Sequence, residues 1–242
     1  MKVLGIIPAR FASTRFPGKP LVLIDDQPMV WHVYQRAVEA GLDEIMVATD
    51  DERIEEAVLE RGGKVMMTSS EHLTGTDRCG EVVRKLLEAG QKFDFVINIQ
   101  GDEPFIDPEQ IRLLKSGLEK GKISTLIKAL NDPNLLANPN VIKVAFSKQL
   151  WQALYFSRLP IPYWRSAGNP VKQHQYYKHI GMYGFDADLL LKLVELSPSP
   201  LELAESLEQL RWMEHGYLIK VIETHLETRG IDSPDDLERL GF

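Results

Sequence analysis

The sequence contains one cysteine, Cys79, in 242 residues. A single thiol excludes an intrachain disulfide and a metal site built from several thiolates. No stretch approaches the ~20 consecutive apolar residues that a membrane-spanning helix requires. The apolar run at residues 3–7 is short and leads directly into a charged loop, so it does not match a secretory signal. These absences predict a cytoplasmic protein that does not cross a membrane.

The common signatures of phosphate binding and covalent catalysis are also missing. The P-loop pattern G-x-x-x-x-G-K-[ST] is absent, with Pro20 where Ser or Thr would bind magnesium, and no G-x-G-x-x-G fingerprint occurs. No Ser–His or Cys–His arrangement indicates a covalent intermediate. The formal net charge is -7 and no basic stripe is present, which argues against nucleic acid as a partner.

The apolar periodicity alternates between strands and helices along much of the chain. The composition, 44% hydrophobic and 26% charged, is ordinary for a globular protein. The alternation implies βαβ crossovers, and therefore an α/β fold with a mainly parallel central sheet and flanking helices. We predict a single domain, 1–242. The predicted strands are 3–7, 44–48, 64–67 and 93–99, and the predicted helices are 29–40, 51–61 and 75–87.

The loop after the first strand concentrates positive charge in an otherwise acidic protein. Arg10, Arg15 and Lys19 lie on this loop, and no acidic residue precedes Asp25. Ligands of open α/β sheets bind at the carboxyl ends of the strands, and guanidinium groups suit phosphate oxygens. The loop therefore predicts a site for an anion such as a triphosphate. The alternative is a solvated basic loop.

One aspartate is a candidate for metal binding, and a second one has no structural role that the sequence explains. Asp102 follows the apolar residues 95–99, so we expect it at the same edge of the sheet as the basic loop. A carboxylate opposite a triphosphate needs a cation between them, and Mg²⁺ prefers such hard oxygen ligands. The alternative is an aspartate that caps a turn or a helix. Near the carboxyl end, Ser233 and Pro234 predict the start of a helix, which leaves Asp232 free for chemistry.

The second half of the chain is rich in aromatic residues. Nine of the 20 aromatic side chains fall between Trp151 and Phe185. Such a cluster is typical of a protein core, and also of a subunit interface, where aromatic residues are enriched.

Segments along nearly the whole chain closely resemble, in the same order, the motifs of the 3-deoxy-manno-octulosonate cytidylyltransferases (CMP-Kdo synthetases). The first motif alone fits several nucleotidyltransferase families, whereas the combination is specific. The matching segments are Ile7-Pro8-Ala9-Arg10, Ser13-Thr14-Arg15, Pro17-Gly18-Lys19-Pro20, Ala48-Thr49-Asp50, Gly75-Thr76-Asp77-Arg78, Gln100-Gly101-Asp102-Glu103-Pro104, Ala153-Leu154-Tyr155-Phe156-Ser157-Arg158, Lys178-His179-Ile180-Gly181-Met182-Tyr183, Leu207-Glu208-Gln209-Leu210-Arg211 and Gly230-Ile231-Asp232-Ser233-Pro234.

The resemblance implies a Rossmann-like nucleotidyltransferase fold and an enzyme of lipopolysaccharide biosynthesis. Such an enzyme transfers CMP from CTP to 3-deoxy-D-manno-octulosonate (Kdo), giving CMP-Kdo and pyrophosphate. About 1–130 would bind the nucleotide, about 131–225 would bind the sugar and, through the aromatic segment, a second subunit of a homodimer, and 226–242 would supply a metal ligand. The alternatives are an enzyme for another sugar acid, such as 8-amino-Kdo or sialic acid, and a non-catalytic nucleotide-binding module.

The site residues follow from the basic loop and from the resemblance. Mg²⁺, the implied cofactor, would be held by Asp102 and Asp232, which form the predicted catalytic set together with Arg10 and Lys19. The predicted nucleotide-binding residues are Pro8, Ala9, Arg10, Arg15, Lys19, Asp50, Gly75 and Arg78. The residues that the resemblance assigns to the sugar are Gln100, Arg158, His179, Tyr183, Glu208 and Gln209, with Arg158 on the sugar carboxylate. Taken alone, His179 is also typical of a core residue and Glu208 of a solvent-facing helix position.

Overall fold

The first strand, β1 (Val3–Ala9), lies inside the central sheet and leads into the basic loop. The computed structural model describes residues 1–12, 16–228, 230–231 and 233–240. The other strands are β2 (Leu23–Ile24), β3 (Gln27–Pro28), β4 (Glu44–Thr49), β5 (Val65–Met67), β6 (Phe95–Asn98), β7 (Ile123–Leu130), β8 (Lys143–Ser147), β9 (Gln152–Ser157), β10 (Tyr176–Asp186) and β11 (Ile219–Glu223). The helices are α1 (Met29–Glu39), α2 (Glu52–Leu59), α3 (Gly75–Glu88), α4 (Pro108–Ser116), α5 (Pro133–Ala137), α6 (Pro170–Gln173), α7 (Ala187–Leu193), α8 (Pro200–Glu205), α9 (Gln209–Glu214) and α10 (Pro234–Leu240).

Nine strands of the described chain form one sheet in the order β5-β4-β1-β6-β10-β7-β11-β9-β8. The amino half is parallel, with Leu4 opposite Glu44 in β4 and Val3 opposite Phe95 in β6. β10 is antiparallel to both of its neighbours, β6 and β7. β9 is likewise antiparallel to β11 and β8. The sheet is therefore mixed.

The predicted α/β fold with flanking helices is confirmed, but the prediction of a mainly parallel sheet holds only for the amino half. In the carboxyl half, β8 and β9 are joined by the short connection 148–151. A connection of that length allows only antiparallel pairing, because parallel neighbours need a crossover of a dozen or more residues. Apolar periodicity identifies strands without giving their direction, so it did not reveal the mixed half.

All seven predicted strands and helices are present, with ends within two residues of the prediction. The sequence places Pro8 after β1, whereas β1 continues through it, with Pro8 opposite Ala48 of β4. The pairing of β1 with β6 ends at Ile6 and Asn98. Proline lacks an N–H, but beyond the end of that ladder the missing donor removes no hydrogen bond to β6.

Side chains of β1 alternate between two apolar cores, one on each face of the sheet. Val3 and Ile7 pack on the face covered by α1 and α4, and Leu4 and Ile6 pack on the face covered by α3 and α7. Because both faces are covered, β1 is a nearly continuous apolar run. In the part of the chain that is described, no helix combines the length and apolar character needed to span a membrane.

Many rings of the aromatic segment belong to the core of the chain. Phe156, Tyr176 and Phe185 are buried, whereas Tyr163 is 84% exposed. The density of aromatic residues therefore reflects the core in large part. The assignment of the segment to a dimer interface stays a prediction.

Candidate active site

The carboxyl ends of β1 and β6 and the first turn of α3 enclose a pocket of about 250 Å³. This is the edge of the sheet at which ligands of open α/β folds bind. Arg15 and Asp232 lie outside the described residues, so their roles stay predictions. Eight of the predicted site residues line the pocket: Pro8, Ala9, Arg10, Lys19, Gly75, Arg78, Gln100 and Asp102.

Two glycines allow three backbone segments to meet at this pocket. A Cβ at Gly101 would lie 2.7 Å from the carbonyl oxygen of Pro8, so the backbone would have to move. A Cβ at Gly75 would lie 3.0 Å from the Pro8 ring. The absence of these two side chains brings the loop after β6 and the start of α3 against the end of β1. Asp102 is thereby placed at the edge of the pocket.

Lys19 and Asp102 form an ion pair in the lining of the pocket. The Lys19 Nζ atom lies 2.7 Å from Asp102 Oδ2 and donates to the Ile231 carbonyl oxygen at 3.0 Å. The Ile231 N–H donates to the Asp102 carbonyl oxygen at 2.9 Å. Segments 19, 102 and 230–231 thus meet, although they are far apart in sequence. The predicted proximity of the basic loop and Asp102 is observed.

Arg78 is part of a rigid wall of the pocket. Its guanidinium is only 3% exposed and donates through Nη2 to Asp50 Oδ2 at 3.0 Å, and through Nη1 to the Thr68 hydroxyl. Asp50 is therefore placed where it holds Arg78, and it is not among the residues that line the pocket. A direct contact of Asp50 with the nucleotide stays a prediction.

The first turn of α3 is closed by a capping box. The Thr74 hydroxyl accepts from the Asp77 N–H at 3.0 Å, and the Asp77 carboxylate accepts from the Thr74 N–H at 3.1 Å. These two side chains therefore have the structural role of helix caps. The positive end of the helix dipole points to the pocket, which favours an anionic ligand there.

His72 also lines the pocket, and sequence reasoning did not identify it. The signal that was available is its place two residues before the Thr74 cap, on the loop that leads to Gly75 and Arg78. A histidine in a polar loop is too common for this place alone to single it out.

A second group of predicted residues is organised by a bulge in β10. The pairing of β10 with β7 shifts between Ile180 and Tyr183, which leaves carbonyl groups without strand partners. The Thr125 hydroxyl donates to the Met182 carbonyl oxygen at 2.8 Å, and Gln100 Nε2 donates to that of Gly181 at 3.0 Å. Gln100 lines the pocket, so the bulge lies directly behind it.

The bulge brings the rings of His179 and Tyr183 to within 5.1 Å of each other, centroid to centroid. His179 Nε2 lies 2.9 Å from the Thr125 hydroxyl oxygen. Because that hydroxyl donates its proton to a carbonyl, Nε2 carries the ring proton and Nδ1 is an acceptor. Burial lowers the pKa of His179 to about 3, so the ring is neutral at pH 7. Sequence reasoning missed Thr125, since a threonine inside an apolar strand carries no signal of its own.

Glu208 joins this group from the turn before α9. Its Oε2 accepts from the Thr76 hydroxyl at 2.7 Å, next to Gly75 of the pocket. Burial raises the pKa of Glu208 to about 7. Gln209 is buried beside it, and the buried Tyr183 hydroxyl has no hydrogen-bond partner among the described residues. His179, Glu208 and Tyr183 together offer hydrogen-bonding atoms that suit a polyhydroxylated ligand.

Arg158 is held apart from this group. Its guanidinium donates to the carbonyl oxygens of Glu205, Ser206 and Pro139 at 2.6, 3.2 and 3.1 Å. It therefore lies at the carboxyl end of α8 and is not among the residues that line the pocket. Its predicted contact with a sugar carboxylate stays a prediction.

Similarity to known proteins agrees with this site. A family model described as cytidylyltransferase matches residues 4–222. The chain is 50% identical to the 3-deoxy-manno-octulosonate cytidylyltransferase of Cytophaga hutchinsonii, with 99% of this chain and 96% of the relative aligned. It is 52% identical to the protein of the same name from Phocaeicola vulgatus, again over 99% of this chain and 96% of the relative.

Solved structures agree with both the fold and the family. CMP:2-keto-3-deoxy-manno-octonic acid synthetase complexed with CTP superposes with a TM-score of 0.90 at 42% identity, covering 99% of this chain and 97% of that one. A glucose-1-phosphate thymidylyltransferase from Bacillus anthracis, at 16% identity and a TM-score of 0.66, shares the fold alone. With the family model matching most of the chain and relatives half identical over nearly all of it, the chain belongs to the cytidylyltransferase family and, within it, to the 3-deoxy-manno-octulosonate cytidylyltransferases.

Proposed function

We propose that this protein transfers CMP from CTP to Kdo, giving CMP-Kdo and pyrophosphate for lipopolysaccharide biosynthesis. The observation that carries the proposal is the single pocket in which Arg10, Lys19, Asp102 and the first turn of α3 meet. Relatives named for this reaction are about half identical to the chain along nearly its whole length, which supports the choice of both substrates.

The nucleotide lies along the pocket with its triphosphate at one end and its nucleoside at the other. Arg10 and Lys19 bind the triphosphate, since they are the cations of the basic loop and line the pocket. The nucleoside lies toward Gly75 and Arg78, where the glycine leaves room and the buried ion pair of Arg78 with Asp50 gives a rigid wall. This direction places the α-phosphate near the middle of the pocket, beside Gln100.

The sugar acid lies on the side of the β10 bulge. His179, Tyr183, Glu208 and Gln209 bind its hydroxyl groups, and Gln100 stands between the bulge and the pocket. We propose that the Arg158 guanidinium binds the sugar carboxylate. It would have to exchange its backbone carbonyl partners for that carboxylate, a charge-assisted and therefore stronger bond.

The chemical step is a direct displacement. The anomeric hydroxyl oxygen of Kdo attacks the α-phosphorus in line, its bond to phosphorus forms as the bond between the α-phosphorus and the bridging oxygen breaks, and the hydroxyl proton is released. The electron pair of the broken bond leaves with pyrophosphate. Arg10 and Lys19 stabilise that charge, so catalysis comes from positioning and electrostatics.

One carboxylate among the described residues of the pocket lining, that of Asp102, suits a magnesium ion. Asp102 is a hard oxygen ligand, its side chain is 34% exposed, and its pairing with the Lys19 ammonium places it in an environment that already accommodates a cation. We propose that Asp102 and Asp232 hold the ion. When bound, Mg²⁺ neutralises phosphate charge and lowers the pKa of the attacking hydroxyl.

The function is tested by measuring pyrophosphate release from CTP and Mg²⁺ with a panel of sugar acids. We expect release with Kdo, and much less with 8-amino-Kdo or sialic acid. Reactions without a sugar acid give the background. Pyrophosphate release that is fastest with another sugar acid would identify that sugar acid as the substrate. No release with any sugar acid would favour the alternative of a non-catalytic nucleotide-binding module.

We also propose that the protein is a cytoplasmic homodimer, with the second copy seated on an exposed apolar surface. Leu154 of β9, Leu159 and Tyr163 after it, and Leu203 of α8 are 59 to 84% exposed. Glu205 of α8 accepts from the Ser157 hydroxyl at the end of β9, so the two elements are adjacent. Exposed apolar side chains of this size are typical of an interface.

The dimer is tested by sedimentation at micromolar concentration. The wild type is expected to sediment as a dimer, and Leu154→Glu as a monomer, because a charge would be buried in the interface. Leu59→Glu is a matched control, since Leu59 is 54% exposed on α2. A monomeric wild type would remove the proposal.

A further inference from the structure

His72 lies in the wall of the nucleotide pocket, on the loop between β5 and α3. None of the roles assigned above uses it. One face of α3 carries Asp77, Glu81 and Lys85 at four-residue spacing, which places them in a row along the helix. Asp77 and Glu81 accept from backbone N–H groups of the loop, and Lys85 donates to the Met67 carbonyl oxygen at the end of β5, so the loop is held along the helix.

Glu81 fixes the imidazole of His72. The same carboxylate oxygen, Oε2, accepts from His72 Nε2 and from the Ser69 N–H at 2.9 Å. The other, Oε1, lies 2.7 Å from Lys85 Nζ, which also donates to the Met67 carbonyl oxygen at 2.7 Å. Burial raises the pKa of the Glu81 carboxyl, but the hydrogen bonds from Lys85, Ser69 and His72 outweigh it and lower the pKa to about 2. Glu81 is therefore ionised at neutral pH.

The geometry decides which atoms of His72 face a ligand. An ionised carboxylate only accepts, so Nε2 carries the ring proton that it donates to Glu81. Among the described residues, Nδ1 has no hydrogen-bond partner. In the neutral ring Nδ1 is therefore an unused acceptor. The His72 side chain is 21% exposed, so a ligand in the pocket can reach part of it.

The position of His72 along the chain indicates which part of the ligand it meets. His72 comes two residues before Thr74 and close to Gly75, at the start of α3. The phosphate-binding cations Arg10 and Lys19 belong to the basic loop instead. Because the proposed function places the nucleoside toward Gly75 and Arg78, His72 is at the nucleoside end of the pocket.

We propose that His72 is a nucleoside-binding specificity residue and that Glu81 is the positioning residue that holds it. Cytidine offers two kinds of hydrogen-bond donor to Nδ1, its exocyclic amine and its ribose hydroxyls. The inference rests on the proposed function, which makes cytidine the nucleoside. The contact is of the same kind for either donor. Nδ1 of His72, held in place by the Glu81 carboxylate, accepts a hydrogen bond from an N–H or O–H of the nucleoside.

The test is calorimetric titration of the full chain with CTP in the absence of a sugar acid. His72→Gln retains a polar group near the position of Nε2 and loses Nδ1, and it should weaken CTP binding about five- to tenfold, the worth of one hydrogen bond. His72→Asn places its amide near the position of Nδ1 and should bind CTP more tightly than His72→Gln. His215→Gln is the control, because His215 lies at the end of α9, before β11 and at the opposite edge of the sheet.

Inorganic tripolyphosphate, dCTP and UTP identify the contact. His72→Gln should bind tripolyphosphate as the wild type does. A smaller loss with dCTP than with CTP assigns the contact to the ribose 2′-hydroxyl, a smaller loss with UTP assigns it to the amine, and equal losses assign it to the 3′-hydroxyl. An equal loss for tripolyphosphate would overturn the inference, as would wild-type CTP affinity in His72→Gln and His72→Ala.

Glu81→Ala tests the positioning role. Freeing the ring should raise KM for CTP several-fold while kcat stays within about twofold of the wild type. If Glu81→Ala lowers Tm and leaves KM for CTP unchanged, the role of Glu81 is merely structural and the positioning role is overturned. The proposed function is refuted by a different result. If the wild type binds CTP but releases no pyrophosphate with Kdo, the proposed reaction is wrong, and the titration still tests the role of His72.

Discussion

At the residue scale, the Lys19 ammonium is the point where the basic loop, Asp102 and the carboxyl-terminal segment meet. In the proposed function, Lys19→Ala removes the charge that balances the departing pyrophosphate. We expect kcat/KM to fall on the order of a hundredfold, as when one preorganised group is removed from a charge-stabilising site. Folding should suffer less, because the lost contacts lie at the edge of the pocket. Steady-state kinetics and thermal unfolding measure the two effects.

Lys64→Ala is the control for that change. The Lys64 side chain is 61% exposed and pairs with Glu44 at the surface, so both activity and stability should stay close to wild type. Wild-type kinetics of Lys19→Ala with CTP would show that the basic loop does not bind the phosphates.

Glu208 predicts a pH dependence of stability. Burial raises the pKa of its carboxyl from 4.5 to about 7, so the folded protein holds a proton that the unfolded chain releases. The stability from this proton is fully present below pH 4.5 and is lost as pH rises through 7. Glu208→Gln cannot ionise, so its free energy of unfolding should fall less between pH 5 and pH 8. Urea unfolding at a series of pH values measures this, and identical profiles would contradict it.

Some site residues were predictable because they follow the carboxyl end of a strand, where ligands of α/β sheets bind. Arg10, Lys19 and Asp102 follow buried strands, and the structure brings all three to one pocket. Thr125 and His72 were not predictable. Their roles depend on a bulge and on a loop fastened to a helix, and both arise from contacts between segments that periodicity does not connect.

At the element scale, one hydroxyl links the bulge of β10 to the His179 ring. The Thr125 Oγ1 atom donates to a carbonyl group that the bulge frees and meets His179 Nε2 at 2.9 Å. Thr125→Val keeps the shape and leaves both buried groups without this partner, so it should lower the free energy of unfolding by about 1–3 kcal/mol. It should also raise KM for the sugar acid with little change in KM for CTP. Denaturant unfolding and steady-state kinetics measure these effects.

Ser124→Ala is a neighbouring control for the bulge. The Ser124 hydroxyl donates to the Gly117 carbonyl oxygen, away from the bulge. Its loss should cost stability without changing KM for the sugar acid. Equal kinetic effects of the two variants would contradict a specific role of Thr125 in holding His179.

Element boundaries were predictable where side chains cap the backbone. Thr74 and Asp77 cap α3 as their residue types predict, and the predicted start of α10 at Pro234 is observed. The direction of β9 and β10 was not predictable in the same way. It depends on the short connection between β8 and β9 and on the insertion of β10 between β6 and β7.

At the scale of the whole molecule, the active site is assembled from both ends of the chain. The Ile231 N–H and carbonyl groups bind Asp102 and Lys19, so the carboxyl-terminal segment lies against two residues of the pocket lining. Strand-end reasoning placed Lys19 and Asp102 together. It had no means of placing residues 230–231, which follow no buried strand directly, and only the family resemblance connected this segment with the site.

The contact of Ile231 with Asp102 and Lys19 leads to a prediction for Asp102 and Asp232 as a pair. Mg²⁺ usually binds one or two carboxylates together with phosphate oxygens and water. Replacing either aspartate by Asn retains the shape and removes one charge from the ion's ligands. Each single variant should nearly abolish turnover while CTP still binds through the basic loop. The double variant should be scarcely worse than the single variants, because residues that act as a unit are not additive.

Pyrophosphate release and CTP titration of the wild type, both single variants and the double variant measure this non-additivity. Asp188→Asn is the control for loss of a carboxylate, because its exposed side chain pairs with Lys120 at the surface. If the two aspartates share one ion, added Mg²⁺ should restore part of the activity of each single variant and little of the double variant's. Modest losses that multiply in the double variant would show that the two carboxylates do not share a metal, and the pocket would then need another source of the charge that balances the triphosphate.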